Sequence, residues 1–352
     1  MEYKMPVLDK NNTKKMEEYK AFVRNHSDKS LMQDPAWAHV KSEWGSEYVY
    51  LENDKGEIYA ALSILIRKIT GGISLFYAPR GPLCVMDDMS VVKKLIEEVR
   101  PLAKKYRAFA LRMDPEIRYS KDLNDLYSQN GFVVKNKDID FNDLIQPRFN
   151  MILYLEDHDE ETIMSKFKSR NRNKIRSAGR KGVYTTWDTT DDYVQKFFDV
   201  YTFMAQRNEI THRDIDYFYR LRDAYGDRLR IYLAHHEDDI LAGAVTINYY
   251  GKMYYLYGGS NNTKRNKNPN QKMQYDMISW GIEEGATQYD FGGVIDMSEN
   301  DGLYQFKKHF CYEDGVTEYI GEIDFVYNKL FYSLFEKMVP KVRQLKKKLR
   351  RN

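Results

Sequence analysis

The chain has 352 residues, enough for about two domains at roughly 100–200 residues each, and its 42% hydrophobic content supports sizeable cores rather than global disorder. Its formal net charge is only +3, from 55 Lys and Arg against 52 Asp and Glu, so any nucleic-acid role must rest on local patches. No run approaches the ~18 apolar residues of a membrane span, the opening MEYKMPVLDKNN has no signal-peptide core, and Cys84 and Cys311 form neither a disulfide framework nor a zinc spacing, which together fit a reducing cytoplasm.

In chain order, residues 14–27 and 34–43 read as short helices, the second with Asp34 as N-cap and Pro35 at the first helical position. YVYLEN, EIYAALSILIRKI and GGISLFYAPRGPL follow as strands, punctuated by Asp54-Lys55-Gly56 and Gly71-Gly72. Val92, Leu95, Ile96 and Val99 keep helical spacing within 90–105, then AFALRMDP is a strand, 120–130 a helix and FVVKN a strand. The second half repeats this order. RFNMILYLE is a strand, 160–181 a helix, VYTTWDTT a strand, and 191–206 and 214–224 are helices. RIYLAHHE, ILAGAVTINYY and MYYLYGGS are strands, 269–285 a helix and TQYDFGGV a strand. This is a duplicated mixed α/β module without the phosphate loop of a nucleotide-binding sheet, divided near Gln146-Pro147-Arg148. From Phe325 on the pattern is again helical, with Val326, Leu330, Leu334 and Met338 apolar, and it ends in KVRQLKKKLRRN, seven basic residues and no acid.

Four stretches stand out chemically. Lys166–Lys181 carries eight basic residues and no acid around an apolar stripe of Met164, Phe167, Ile175 and Ala178, which suits either a solvated helix face or a phosphate-backbone surface. Arg213 and Tyr217 stand four apart, so a helix over 214–224 would set a cation beside a phenol, a fit for phosphate or carboxylate. Arg80, in YAPRGPL, and Asp114, before Pro115, sit at strand ends, where they either cap turns or hold a substrate. Finally, YYLYGGS places Tyr255 and Tyr257 on one face of a strand and lets Gly258-Gly259 admit a ligand near the backbone. Beyond it, LYQFKKHF sets Lys307 or Lys308 among aromatics, where a lysine either snorkels or stabilises an oxyanion. The histidines show no metal spacing, and no Ser or Cys lies in a nucleophile elbow, which favours direct transfer between two bound substrates.

Taken in order, Trp37–Lys41 (W-x-x-V-K), YAPRGP, QPR, RNRNKIRSAGRKGV, YLYGGS, NPNQKMQYDMISWGIEEGATQYDFGGV and GLYQFKKHF resemble the FemA/FemB/FemX family over nearly the whole chain. The resemblance implies two GNAT-like domains with mixed sheets flanked by helices, the first comprising 1–147 plus 325–352 and the second 148–324. It also implies that an amino acid is moved from aminoacyl-tRNA to the side-chain amine of the third stem residue of a peptidoglycan precursor. Too little chain separates the basic helix from RIYLAHHE for the coiled-coil arm of FemA and FemB, so the FemX pattern, with UDP-MurNAc-pentapeptide as acceptor, is the nearer one. Carried onto this sequence, the resemblance makes Lys307, Asp114 and Tyr257 catalytic. It assigns Lys41, Arg213, Tyr217 and Phe306 to the precursor, to which Arg80 and Tyr255 are added from their own settings, and it gives the basic Lys168, Arg170, Arg172, Lys174 and Arg176 a reason to exist as tRNA contacts. No metal or cofactor is implied beyond the aminoacyl-tRNA co-substrate, and a monomer is expected.

Three other readings remain open at this level. The acceptor is lipid II, with the basic tail against the inner face of the membrane. Alternatively, the chain is a coenzyme A-dependent N-acyltransferase, since Arg176–Gly182 approaches the R/Q-x-x-G-x-G/A turn but puts Lys181 at a glycine position. In the third reading it is a non-catalytic binding protein for tRNA or a membrane surface.

Overall fold

The computed structural model describes residues 7–69, 71–136 and 144–338. The chain folds as two units, Met1–Arg148 with Glu318–Asn352, and Phe149–Thr317. The return to the first unit therefore begins at Glu318 rather than at Phe325.

The first unit opens with α1 (Thr13–Asn25), whose N-cap Asn12 accepts from the Lys15 amide, and α2 (Ala36–Val40), where Asp34 accepts from the Ala36 amide at 3.0 Å. A meander of β1 (Gly45–Glu52), β2 (Ile58–Ile69) and β3 (Ile73–Ala78) follows. Helix α3 (Met89–Lys105), capped by Asp88, buries Val92, Leu95, Ile96 and Val99 on the face their spacing foretells, and crosses over to β4 (Ala108–Met113), parallel to β3. Helix α4 (Lys121–Gln129) and β5 (Val133–Lys135) follow.

The second unit repeats the plan. It contains β6 (Phe149–Tyr154), α5 (Glu160–Lys166), α6 (Ser169–Arg180), β7 (Tyr184–Asp188), α7 (Asp191–Arg207), α8 (Ile215–Tyr225), β8 (Leu229–His236), β9 (Asp239–Tyr249) and β10 (Lys252–Ser260). Helix α9 (Pro269–Glu283) crosses over to β11 (Gln288–Gly293), parallel to β10, and α10 (Gly302–Lys308) and β12 (Val316–Glu318) complete it. The chain then adds β13 (Glu322–Val326) to the first sheet, between β4 and β5, and residues 329–338 form α11. Among the described residues the sheet orders are β1-β2-β3-β4-β13-β5 and β12-β6-β11-β10-β9-β8-β7. In each, an antiparallel meander is extended by one parallel strand through a crossover helix, which is the duplication the sequence suggests.

Two expectations change. The helix expected over 160–181 is two helices, because Phe167 turns extended (ψ 147°) to bury its ring against Phe310 and Tyr275, and α6 restarts from Lys168. The helix expected from Phe325 starts later, and Val326 lies in β13. Its stripe Leu330, Leu334 and Met338 faces solvent, while Tyr332 and Phe335 pack on Leu75, Phe109 and Ala110. The tail 341–352 lies outside the described residues. The longest described helices, α3 and α7, have 17 residues each, so no coiled-coil arm is present among them, and no described helix is long and apolar enough to cross a membrane.

Candidate active site

The candidate residues of the first unit lie at the ends of β3 and β4. Parallel pairing brings Ala78 beside Met113, so the turns that follow them meet. Asp114 accepts from the Arg80 amide at 2.6 Å and from the Tyr77 hydroxyl at 2.7 Å, and burial pushes its carboxyl up to about 6 against the opposing Arg80 guanidinium. Arg80 holds φ at +58°, a left-handed conformation that those bonds stabilise. Its guanidinium is internal: it faces Glu116 at 3.4 Å, the Asp114 and Pro147 carbonyls at 3.4 and 3.3 Å, and the Tyr319 ring at 5.4 Å. Arg80 is thus a brace for this turn rather than the substrate cation expected, and Asp114 is first its anchor. Lys41, at the C-terminal end of α2, lies over the Trp37 ring at 5.6 Å, which explains the W-x-x-x-K spacing as a local cation–π pair.

In the second unit the strand β10 decides the geometry. Tyr255 pairs with Thr246 and Tyr257 with Val245, so a bulge at Leu256 places the two tyrosines on opposite faces rather than on one. Tyr257 faces α7 and α8. Its ring meets Tyr201, Phe218 and Tyr217 at 5.8, 5.1 and 5.8 Å, and its hydroxyl donates to that of Tyr217 at 3.0 Å. Arg213 precedes α8, whose N-cap is Asp214, yet its guanidinium lies 5.1 Å from the Tyr217 ring centre. Arg213, Tyr217 and Tyr257 therefore form one cluster, in which Arg213 keeps part of its side chain exposed and the Tyr217 phenol is buried.

The opposite face of β10 carries Tyr255, and Lys307 comes from α10. A Cβ placed on Gly292, where φ is +77°, would lie 3.8 Å from both the Lys307 ammonium and the Tyr255 carbonyl. Lys307 is 4% exposed, donates to the Gly293 carbonyl at 2.7 Å, and is lowered to about 8 by burial, with Asp290 pulling the other way. Lys308 instead pairs with Glu299 at 3.2 Å over the Tyr304 ring, so the structure separates the two lysines that the sequence left equivalent. Phe306, within α10, packs on Phe310 at 5.4 Å and joins that helix to the core of the second unit. The sequence reading missed Asp290. Buried in β11, it accepts from Asn150 at 3.0 Å and from the Gly292 amide at 2.7 Å, and so sets the turn that presents Gly293 to Lys307. A carboxylate inside the apolar strand YDF was the available signal.

Gly258 and Gly259 admit protein rather than ligand. A methyl on Gly258 would lie 1.9 Å from the Tyr255 hydroxyl, and one on Gly259 would press on the α7 backbone at 3.3 Å. Gly258→Ala is expected to cost about 1–3 kcal/mol of unfolding free energy by overpacking. Urea denaturation of Gly258→Ala with Tyr255→Phe should recover part of that loss; an identical loss in the double variant would exclude the hydroxyl clash.

The basic residues of α6 do not act alike. Arg172 turns back to the Ser165 and Phe167 carbonyls and caps α5. Lys168 and Arg170 are exposed and Lys174 half-buried. The Lys174 ammonium is pushed down by burial and then by Arg170 and Arg265, and the His309 imidazole by burial and then by Lys174, Lys168, Arg170 and Lys308. These groups form one cationic patch beside the end of α10. Arg176 is exposed one turn further on. Residues 176–180 spend their amides in helix α6, so no coenzyme A phosphate turn exists there. Among the described residues no His, Cys, Asp and Glu cluster could hold a metal ion.

The profile of the FemAB family matches residues 14–239 and 235–339. The UDP-N-acetylmuramoylpentapeptide-lysine N(6)-alanyltransferase of Weissella viridescens is 36% identical over 334 residues, covering 94% of this chain and 98% of that protein. A lipid II:glycine glycyltransferase of Staphylococcus haemolyticus (strain JCSC1435) is 28% identical over 411 aligned positions, covering 95% of this chain and 97% of that protein. The crystal structure of FemX superposes with a TM-score of 0.83 at 25% identity, over 91% of this chain and 98% of that one. A tandem GNAT protein from the clavulanic acid biosynthesis pathway gives a TM-score of 0.55 at 11% identity, over 91% and 97%, a likeness of fold alone. With two GNAT-like units, a family profile that runs through both, and relatives matched over nearly their full length, the chain belongs to the FemAB family and is an aminoacyltransferase.

Proposed function

We propose that the chain moves an amino acid from aminoacyl-tRNA to the side-chain amine of the third stem residue of a peptidoglycan precursor, UDP-MurNAc-pentapeptide, with no further cofactor. The observation that carries this reading is the buried Lys307 ammonium, fixed on the Gly293 carbonyl beside a glycine turn. The tRNA ester arrives activated, so no covalent enzyme intermediate is required. The acceptor amine gives one proton to solvent and attacks the ester carbonyl. The C–N bond forms, the carbonyl oxygen becomes an oxyanion, and the bond to the ribose oxygen breaks, that oxygen taking the second amine proton. Lys307 donates to the oxyanion, in a site dry enough for that contact to count. Within the second unit, Arg213 offers the precursor's phosphates a guanidinium oriented by Tyr217 and Tyr257. Asp114 holds the β3–β4 turns in shape. The relatives named above act on a UDP-linked and a lipid-linked precursor, which supports the acceptor class.

The cationic patch of Lys168, Arg170 and Lys174 next to α10 suits the phosphates of a tRNA acceptor end, which position without reading sequence. Arg170→Glu with Lys174→Glu is expected to raise KM for charged tRNA about tenfold or more and leave KM for the acceptor unchanged. Steady-state kinetics at two salt concentrations should show the defect shrinking as salt rises. The deciding experiment supplies purified protein with separately charged alanyl-, seryl- and glycyl-tRNA and with UDP-linked or lipid-linked acceptor, read by mass spectrometry. An acceptor heavier by one aminoacyl residue is expected. No product with any charged tRNA, or an acetylated product with acetyl-coenzyme A, would refute the reading.

A further inference from the structure

Helix α11 has two faces of different fate. One is fastened to the first unit: Tyr332 donates to Asp324 at 2.7 Å, Phe335 packs on Phe109 at 5.1 Å, and Glu336 accepts from Arg112 at 2.9 Å. The other carries Leu330, Phe331, Leu334 and Met338, which are 68%, 36%, 47% and 58% exposed. Spacing of three and four residues gathers these four into a single stripe on the side away from the fastened face. Four large apolar side chains within nine residues form a contiguous patch, not the scatter normal for a protein surface. The stripe is flanked by Lys329 and Lys337, and the sequence beyond it, KVRQLKKKLRRN, adds seven basic residues and no acid.

We propose that the outer face of α11 is a membrane-docking surface that lies on a bilayer containing anionic phospholipid. Two weak signals combine there. The apolar stripe enters the headgroup–acyl boundary, and the neighbouring basic residues meet the lipid phosphates; neither alone gives stable attachment, but a pair does. Charge decides against the other occupants. A second copy docking on the same stripe would bring Lys329 and Lys337 of both copies to one seam, and RNA would satisfy the lysines but leave Leu330, Leu334 and Met338 with nothing to bury against. This inference is independent of the transfer reaction and of which precursor is the acceptor, since its readout is vesicle binding.

The test uses the full chain and sedimentation with vesicles of phosphatidylcholine containing a quarter phosphatidylglycerol, against pure phosphatidylcholine. Binding to the anionic vesicles is expected, weakened tenfold or more by L330S/L334S/M338S and by high salt. The triple variant should retain the wild-type melting temperature, because the fastened face of α11 is untouched. Four results would overturn the proposal: no binding to anionic vesicles, equal binding to neutral ones, wild-type binding by the triple variant, or a concentration-dependent dimer or tRNA complex that the substitutions abolish while vesicle binding stays.

Discussion

Lys307→Met is expected to reduce transfer by about 10²–10³-fold, the usual cost of removing one oxyanion donor, and yet to leave the protein as stable or more so. Burial lowers the Lys307 ammonium to about 8 from 10.5, so at pH 7 the folded chain carries a charge it would shed more readily than the unfolded chain. That difference amounts to roughly 3 kcal/mol against folding, offset by about 1 kcal/mol from the bond to the Gly293 carbonyl. The sign follows from which state holds the proton. Between pH 8 and 10.5 the unfolded chain keeps it and the folded chain has released it, so wild-type stability climbs with pH across that window, and the methionine variant loses the slope. A lysine retained at such a cost is best explained by work done on a substrate. Urea unfolding at pH 7 and 9.5 together with single-turnover transfer measures both halves. A variant that is inactive because it has become much less stable would contradict the assignment.

The same group shapes the rate profile. In the proposed mechanism transfer needs Lys307 protonated and the acceptor amine neutral, and a lysine-like amine has a pKa of ~10.4. Below about pH 8 the logarithm of the rate should rise one unit per pH unit as the amine deprotonates. Above that point the loss of the Lys307 proton cancels the gain, and the profile levels. Lys307→Arg, if it transfers at all, should keep climbing past pH 8, because a guanidinium stays charged.

Much of the framework is legible in the residues, because periodicity and caps are local. Val92, Leu95, Ile96 and Val99 mark α3 in the sequence, and the fold buries all four. The basic stretch and the Arg213–Tyr217 pair are likewise visible at helical spacing, although Arg213 meets its partner from outside the helix. What escapes is set by tertiary contact. Leu256 bulges out of the β9–β10 ladder and sends Tyr255 and Tyr257 to opposite faces, which no alternation rule anticipates. Phe167 breaks a strong helical pattern because its ring has a place against Phe310. Arg80 looks like a ligand cation from its stiff neighbours, but the groups that occupy it, Glu116, Pro147 and Tyr319, are distant or unmarked in sequence. Lys307 and Lys308 differ only in which side of α10 faces the core, a difference that a seven-residue helix does not advertise.

Arg112→Met is expected to destabilise the protein by about 3–5 kcal/mol, since it strips the counter-charge from buried carboxylates. Arg112 is 5% exposed and binds Asp324 through two bonds at 2.8 and 2.7 Å, with Glu322 at 3.0 Å and Glu336 at 2.9 Å. Lys135 adds contacts to Asp324 and Glu336, so three acids share two bases. The imbalance appears in the titration. Burial first, and then Asp324, push the Glu322 carboxyl up to about 7 against the pull of Arg112, whereas Asp324, although opposed by burial, is held below its ordinary 3.8 by Arg112 and Lys135. In the wild type, Asp324 therefore contributes stability above pH 3.8 that is lost as pH falls through its lowered value. Glu322 does the reverse, and its contribution falls as pH rises from 4.5 to about 7. Removing Arg112 turns both acids into groups that fold best when protonated. The defect should consequently be largest near pH 8 and shrink by pH 5, where two buried carboxyls can take up protons. Urea midpoints at those two pH values decide it; a pH-independent loss, or one below about 1 kcal/mol, would mean that the network's desolvation already cancels its attraction. Because Glu336 and Tyr332 are the polar fasteners of α11, hydrogen exchange in 329–338 should accelerate in the same variant before the rest of the unit opens.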